Sequence, residues 1–263
     1  MARRIVICSG KGGVGKTAVC ANLGMSLAKM GQRTVLIDTD IGLNNLDVAM
    51  GVENKVVYDI IDVIENRCRV KQALITDTMY DNLCTLATHG QATNKITGAN
   101  IKHIVNSLSE NFDYILLDCP AGIEVGFHRA VAASDEAIIV TTPHISAIRD
   151  ADKVISILNN YMINNMSLVI NRVRGDLILN YEMLDVGNIV ELLGVYAVGV
   201  IPENDDISAY ASMGVRLKNG STALEAFDIL AKNLINGTRK IYDCTSKFKG
   251  VIGKIRRNIK RMV

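Results

Sequence analysis

Residues 9–18 read SGKGGVGKTA, and this stretch decides the fold. Its centre, GKGGVGKT (10–17), fits the pattern G-x-x-x-x-G-K-[ST]. Glycines in such a loop let successive backbone N–H groups turn inward onto phosphate oxygens, and the following helix adds its positive N-terminal end. Lys16 would pair with the β- and γ-phosphates, and the Thr17 hydroxyl would serve Mg²⁺. The required context is present. The apolar run RRIVIC (3–8) precedes the loop, and the helical pattern Lys16–Met30 follows it, with Val19, Leu23, Leu27 and Met30 on one stripe before Gly31. One feature exceeds what a phosphate loop needs. A second lysine, Lys11, stands five positions before the first.

Outward from the loop, short apolar and β-branched runs recur: RTVLID (33–38), LCTLA (83–87), DYILLD (113–118), EAIIVTT (136–142), SLVIN (167–171) and VYAVGVI (195–201). Continuous apolarity marks strands buried on both faces, so the expected fold is α/β, a mainly parallel sheet flanked by helices. The three prolines, Pro120, Pro143 and Pro202, each follow one of these runs, where a missing N–H does little harm. Ligands of open parallel sheets sit beyond the carboxyl ends of the strands. The loop, Asp38 and Asp40, Asp118 and Asn171 all fall there.

Asp118 closes an apolar strand, the place of a carboxylate that holds Mg²⁺, usually through water; its bland reading is a helix or turn cap. Asp38 and Asp40, in LIDTDIG, lie two apart in an extended segment and can face one side. One would hold the metal's water shell, here assigned to Asp38, and the other, Asp40, would orient an attacking water. A solvated turn is the alternative for either.

The doubled-lysine loop, the DTD of 38–40, DCPAG (118–122) and VIPEN (200–204) resemble the deviant-Walker, or ParA/MinD, family of P-loop ATPases, and the likeness covers essentially the whole chain. The resemblance implies that ATP is bound along Gly10, Lys11, Gly12, Gly13, Val14, Gly15, Lys16, Thr17 and Ala18. Asn171 would read the adenine edge and the Pro202–Glu203 turn would supply backbone contacts. Lys11 is the family's signature residue: it crosses a dimer interface to phosphates held by the other subunit, so that Lys11 and Lys16 both act on the γ-phosphate. Such a finger supplied in trans balances charge that develops during phosphoryl transfer to water. No glutamate base is visible in the loop, and hydrolysis is expected to be slow until a partner adjusts the site. Ala18 departs from the commoner GKTT pattern and removes one side-chain contact to the α-phosphate.

The apolar fraction of 49% suits one large α/β domain, and 21% charged residues argue against disorder. No apolar run is long enough to span a membrane, and the MARRIVIC start is too short for a secretory signal. These point to a cytoplasmic protein, in whose reducing milieu six scattered cysteines without a CxxC pair read as small core residues. A net charge of +2 hides an asymmetry. Residues 244–263 hold seven cations and no acid, leaving 22 Lys and Arg against 27 acids in the rest. The expected division is therefore an ATPase domain over 1–243 and a basic tail over 244–263.

In SKFKGVIGKIRRNIKRMV (246–263), Phe248, Val251, Ile252, Ile255, Ile259 and Met262 fall on one helical stripe with the cations largely off it. A basic helix with a bulky apolar face suits an anionic membrane surface, although Gly250 and Gly253 each cost about 1 kcal/mol of helix propensity. The segments IDTDIGLNNLDVAMG (37–51), VVYDIIDVI (56–64) and SAIRDADKV (146–154) are similar to the septum-placing branch of the family. That likeness implies an ATP-held homodimer, peripheral on the inner face of the membrane, that recruits a MinC-like division inhibitor. It also implies a MinE-like activator touching the segment around Asn45, and a partner-facing Asp152. An ordinary polar loop and an exposed helix acid are the bland readings of those two. A flagellum-placing relative and a DNA-partition ATPase using its tail on nucleic acid are the alternatives.

Overall fold

The computed structural model describes residues 1–42, 45–89, 96–207, 209, 214, 216–250 and 253–254. Among them, eight strands form one sheet: β1 (Arg3–Cys8), β2 (Thr34–Asp38), β3 (Leu74–Thr76), β4 (Leu83–Leu86), β5 (Tyr114–Asp118), β6 (Glu136–Thr141), β7 (Asn165–Val173) and β8 (Ala197–Pro202). Their order is β3-β4-β2-β5-β1-β6-β7-β8. Every pairing is parallel except β3 with β4, where Leu74 faces Leu86. The parallel, helix-flanked sheet agrees with the apolar runs. Strand β3 is the addition: its three residues are too few to show a period in the sequence.

Helices among the described residues include α1 (Lys16–Lys29), α2 (Leu46–Met50), α3 (Ile60–Ile64), α4 (Val70–Ala73), α5 (Gly98–Leu108), α6 (Val125–Val131), α7 (Ile145–Asn160), α8 (Gly175–Leu179), α9 (Val186–Leu193) and α10 (Thr222–Asn236). Alternation along the strands feeds both faces of the sheet. Ile5 and Ile7 pack towards α1 and α10. Val6 and Cys8 join the core under α6 and α7, and Val35 and Ile37 that under α3 and α5. Helix α1 begins and ends almost where its apolar pattern predicts, but it is buried all round from Ala18 to Ala28 rather than along one stripe. It lies between the sheet and α10, and the small residues Ala18, Ala21, Gly24 and Ala28 allow that enclosure. Pro202 closes β8 instead of following it, tolerated because β8 is an edge strand. No helix among the described residues is long and apolar enough to cross a membrane.

Candidate active site

The loop leaves β1 at Ser9 and enters α1 at Lys16. Gly13 and Gly15 take φ of 76° and 94°, a left-handed region that side chains resist. Gly15 has a second constraint: a Cβ there would strike Nδ2 of Asn171. Gly10 is held by packing, since its Cβ would overlap the backbone carbonyl of Asp150 on α7. Two contacts set the loop's shape from within the sheet. The Ser9 hydroxyl donates to the Lys11 carbonyl at 2.8 Å, and the Gly122 N–H donates to the Ser9 carbonyl at 3.1 Å.

The two lysines part company. Lys16 is buried at 8% exposure. Lys11 is exposed, and its Nζ donates to the Ser146 hydroxyl, 3.1 Å away at the start of α7. One cation thus turns into the sheet edge and the other leaves its own loop.

Asp38 and Asp118 end adjacent strands in register. Both are buried, at 1% and 2% exposure. Burial lifts the Asp118 carboxyl to about 6, with the Thr17 hydroxyl and the Lys16 charge pulling the other way. Burial and then the Asp118 charge push Asp38 well above the usual carboxylate range, against N–H groups donated by Asp40 at 2.9 Å and Leu46 at 3.4 Å. Asp40 is half-buried, raised by that burial and lowered by Lys16. Oδ1 of Asp118 is buried without a hydrogen-bond partner among the described residues. A hydroxyl (Thr17), an orphaned carboxylate oxygen and a neighbouring carboxylate make an all-oxygen set that fits a hard divalent cation such as Mg²⁺.

Asn171 sits at the end of β7 and lines a hollow of ≈ 200 Å³ with Gly15, Ala18, Arg172, Pro202 and Glu203. Its Nδ2 donates to the Val14 carbonyl at 2.8 Å, and its Oδ1 accepts from the Arg172 N–H at 2.9 Å. Asn171 therefore braces the loop as well as bordering the hollow. Ala18 lines the same hollow with no side-chain hydroxyl to offer. Gly12 is exposed and Val14 buried, so the loop presents backbone outward and anchors itself through one apolar side chain.

Residues missed by the sequence reading hold this edge in place. The Thr39 hydroxyl donates to the Asp118 carbonyl at 2.6 Å, and the Thr88 hydroxyl to the Asp38 carbonyl at 2.9 Å. Thr39 could have been suspected from its place between the two acids; Thr88, fifty residues from Asp38, carried no signal. Cys8 and Cys119 lie buried beneath the loop, and burial pushes the Cys8 thiol up to about 12, consistent with small inert core groups. Asn45 and Asp152 are exposed, on the loop before α2 and on α7. Phe248 is described, whereas Asn44, Val251, Ile252, Ile255, Ile259 and Met262 lie outside the described residues.

A phosphate loop between β1 and α1, with strand-end carboxylates beside its buried lysine, defines a P-loop nucleotide-binding protein. Residues 5–217 match the CobQ/CobB/MinD/ParA nucleotide binding domain family. The septum site-determining protein MinD of Bacillus subtilis is 41% identical over 261 residues, 97% of each chain. Among solved structures, the MinC:MinD cell division protein complex of Aquifex aeolicus contains a chain with TM-score 0.85 and 39% identity, covering 92% of this chain and 99% of that one. The septum site-determining protein MinD of Pyrococcus horikoshii, complexed with Mg-ADP, gives TM-score 0.80 and 29% identity over 91% and 99%. The chain belongs to the MinD family of septum site-determining P-loop ATPases.

Proposed function

We propose that the chain is a slow ATP-driven switch in which nucleotide clamps two copies face to face and the resulting pair grips the membrane. The carrying observation is the divergence of the two lysines. Lys16 is buried beside Asp118, which supports a role on its own nucleotide, while Lys11 points away from its loop towards Ser146. A cation so displaced is available to the phosphates of a second copy, and in that position it offsets charge on the γ-phosphoryl group. Thr17, Asp118 and Asp38 would hold Mg²⁺, directly or through water, and a bound Mg²⁺ neutralises phosphate charge. Asp40, half-buried near Lys16, orients the attacking water. Asn171, Pro202 and Glu203 border the base.

The tail over 244–263 supplies the attachment. One basic amphipathic segment binds an anionic surface weakly, and two on one dimer gain about 10²–10⁴ in avidity if both reach it. ATP then puts the protein on the inner face of the membrane, and hydrolysis releases it. A MinC-like inhibitor is the cargo, a reading supported by the Aquifex complex. A MinE-like activator would meet the surface that includes Asn45 and Asp152.

The test is sedimentation with anionic vesicles in ATP and in ADP, alongside light scattering for mass. The parent should dimerise and sediment in ATP only. Lys11→Ala should stay monomeric while still binding nucleotide, and Ile252→Glu should dimerise but stay in the supernatant. A Lys11→Ala dimer formed normally in ATP would remove the clamp, and recovery on DNA but not on lipid would favour a partition protein.

A further inference from the structure

Three consecutive residues after β4 each tie down a different part of the sheet edge. The Ala87 carbonyl accepts from the Ile60 N–H, the first of α3, at 3.0 Å. The Thr88 hydroxyl holds the Asp38 carbonyl. His89 makes two contacts. Its N–H donates to Asp59 at 2.8 Å, and its ring Nε2 lies 2.5 Å from Oδ2 of Asp47 on α2. A carboxylate only accepts, so the ring carries a proton on Nε2 and donates it.

Asp47 is buried at 3% exposure, whereas the His89 side chain is 44% exposed. The other oxygen of Asp47 accepts the Val48 N–H at 2.8 Å. A buried carboxylate that loses such a partner carries a desolvation cost, so its hold on the ring is strong. One residue earlier, the Leu46 N–H donates to Oδ2 of Asp38 at 3.4 Å. The imidazole and the strand-end carboxylate therefore grip adjacent residues of one short helix. Apolar packing sets how deep α2 lies, since Leu46, Ala49 and Met50 join the core with α1. Such packing is non-directional and leaves rotation open. On another flank the chain is close against Gly214, where a Cβ would come within 3.0 Å of Gly51 and 3.1 Å of the Val48 carbonyl. Helix α2 is thus held by contact there and by the His89 ring along its polar edge.

We propose that His89 is a positioning residue for Asp38: its ring holds Asp47, and with it α2, so that the Leu46 N–H stays on the Asp38 carboxylate and keeps that group oriented for a cation. The inference rests on the reading of Asp38 as a holder of Mg²⁺. Without the ring, the Asp47 carboxylate turns towards water and α2 rotates with it. Asp38 then loses one of its two N–H donors. It keeps the Asp40 N–H at 2.9 Å, so the group is loosened rather than released. Partners that orient a metal-holding carboxylate are worth about 10–100-fold in metal affinity. His89 acts through Asp47 and α2, which sets the expected effect at the lower end, about tenfold.

The test uses the full chain and reads α2 first without nucleotide or metal. Hydrogen exchange of the Leu46 and Ala49 amides should quicken about tenfold or more in His89→Ala, while amides of β5 and β7 keep their parental rates. His89→Gln, whose side-chain amide can donate in place of Nε2, should restore slow exchange. In an Asp47→Asn background, His89→Ala should add little, because the two residues act as one unit. The second readout is binding. The Mg²⁺ concentration that half-saturates retention of labelled ATP should rise about tenfold in His89→Ala and return in His89→Gln. Parental exchange at Leu46 in His89→Ala overturns the proposal, as does quickening that spreads equally to β5 and β7, or a glutamine variant that behaves like the alanine one. If Asp38→Asn itself leaves the Mg²⁺ requirement at the parental value, the metal reading of Asp38 fails, and the exchange result still judges the brace by itself.

Discussion

The strands enter the sheet among charges that are matched and leave it among charges that are not. At the entering end, three arginines make two-pronged contacts with carboxylates: Arg3 with Glu136 at 2.8 and 2.7 Å, Arg4 with Asp135 at 2.5 and 2.7 Å, and Arg33 with Asp113 at 3.2 and 2.7 Å. Arg4–Asp135 and Arg33–Asp113 lie at the surface and Arg3–Glu136 is partly buried, and all three are hydrogen-bonded on both prongs. At the leaving end Lys16, Asp38 and Asp118 are buried together, and Asp118 keeps one oxygen without a hydrogen bond among the described residues. Burying charge without full satisfaction costs free energy. The lesson is that unmet electrostatic demand, more than charge itself, marks the end of a sheet that works on a ligand.

Four measurements bear on this contrast. Lys16→Met should have the largest effect, lowering ATP affinity or turnover at least about 100-fold, as removal of a buried transition-state donor does. Near-parental values by calorimetry and phosphate release would deny that Lys16 is the phosphate cation. Next comes pH. Asp118 is lifted from 3.8 to about 6, so between those values the folded chain binds more protons than the unfolded one, and stability falls as pH rises. Without metal or nucleotide, stability should fall as pH rises through this window, with the raised Asp38 beside it adding to the slope in the same direction. Asp118→Asn should lessen that slope in chemical denaturation, and coincident slopes would contradict it. Gly15→Ala forces a Cβ into φ 94° against Asn171 and should cost on the order of 1–2 kcal/mol, with weaker nucleotide binding. An unchanged melting point would show the loop to be softer than its packing implies. Smallest is Arg4→Ala at the opposite end. It should cost about 1 kcal/mol or less and leave ATP hydrolysis untouched, since its pair with Asp135 is partly solvated. A loss of activity there would erase the distinction between the two ends.

The runs of β-branched residues located seven of the eight strands seen among the described residues, because a strand buried on both faces must be apolar throughout. The loop, Asp38 and Asp118 were legible because their chemistry is carried by residue type at fixed spacing. Other features depend on long-range closure. Edge strand β3 owes its existence to pairing with Leu83–Leu86, and neither the brace from Asn171 to Val14 nor Thr88 beneath Asp38 has a local signature. Arg172 takes φ of 57° beside a break in the β7–β8 register, a conformation that no propensity would assign to arginine.

The meeting of Gly10 with the Asp150 carbonyl leaves no slack between the loop and α7. A helix of sixteen residues is a stiff rod roughly 24 Å long. A glycine turn that shifted on meeting a phosphate would therefore press on this rod at Asp150. Its outer surface carries Asp152, so a visiting protein could feel the state of the nucleotide without ever touching it.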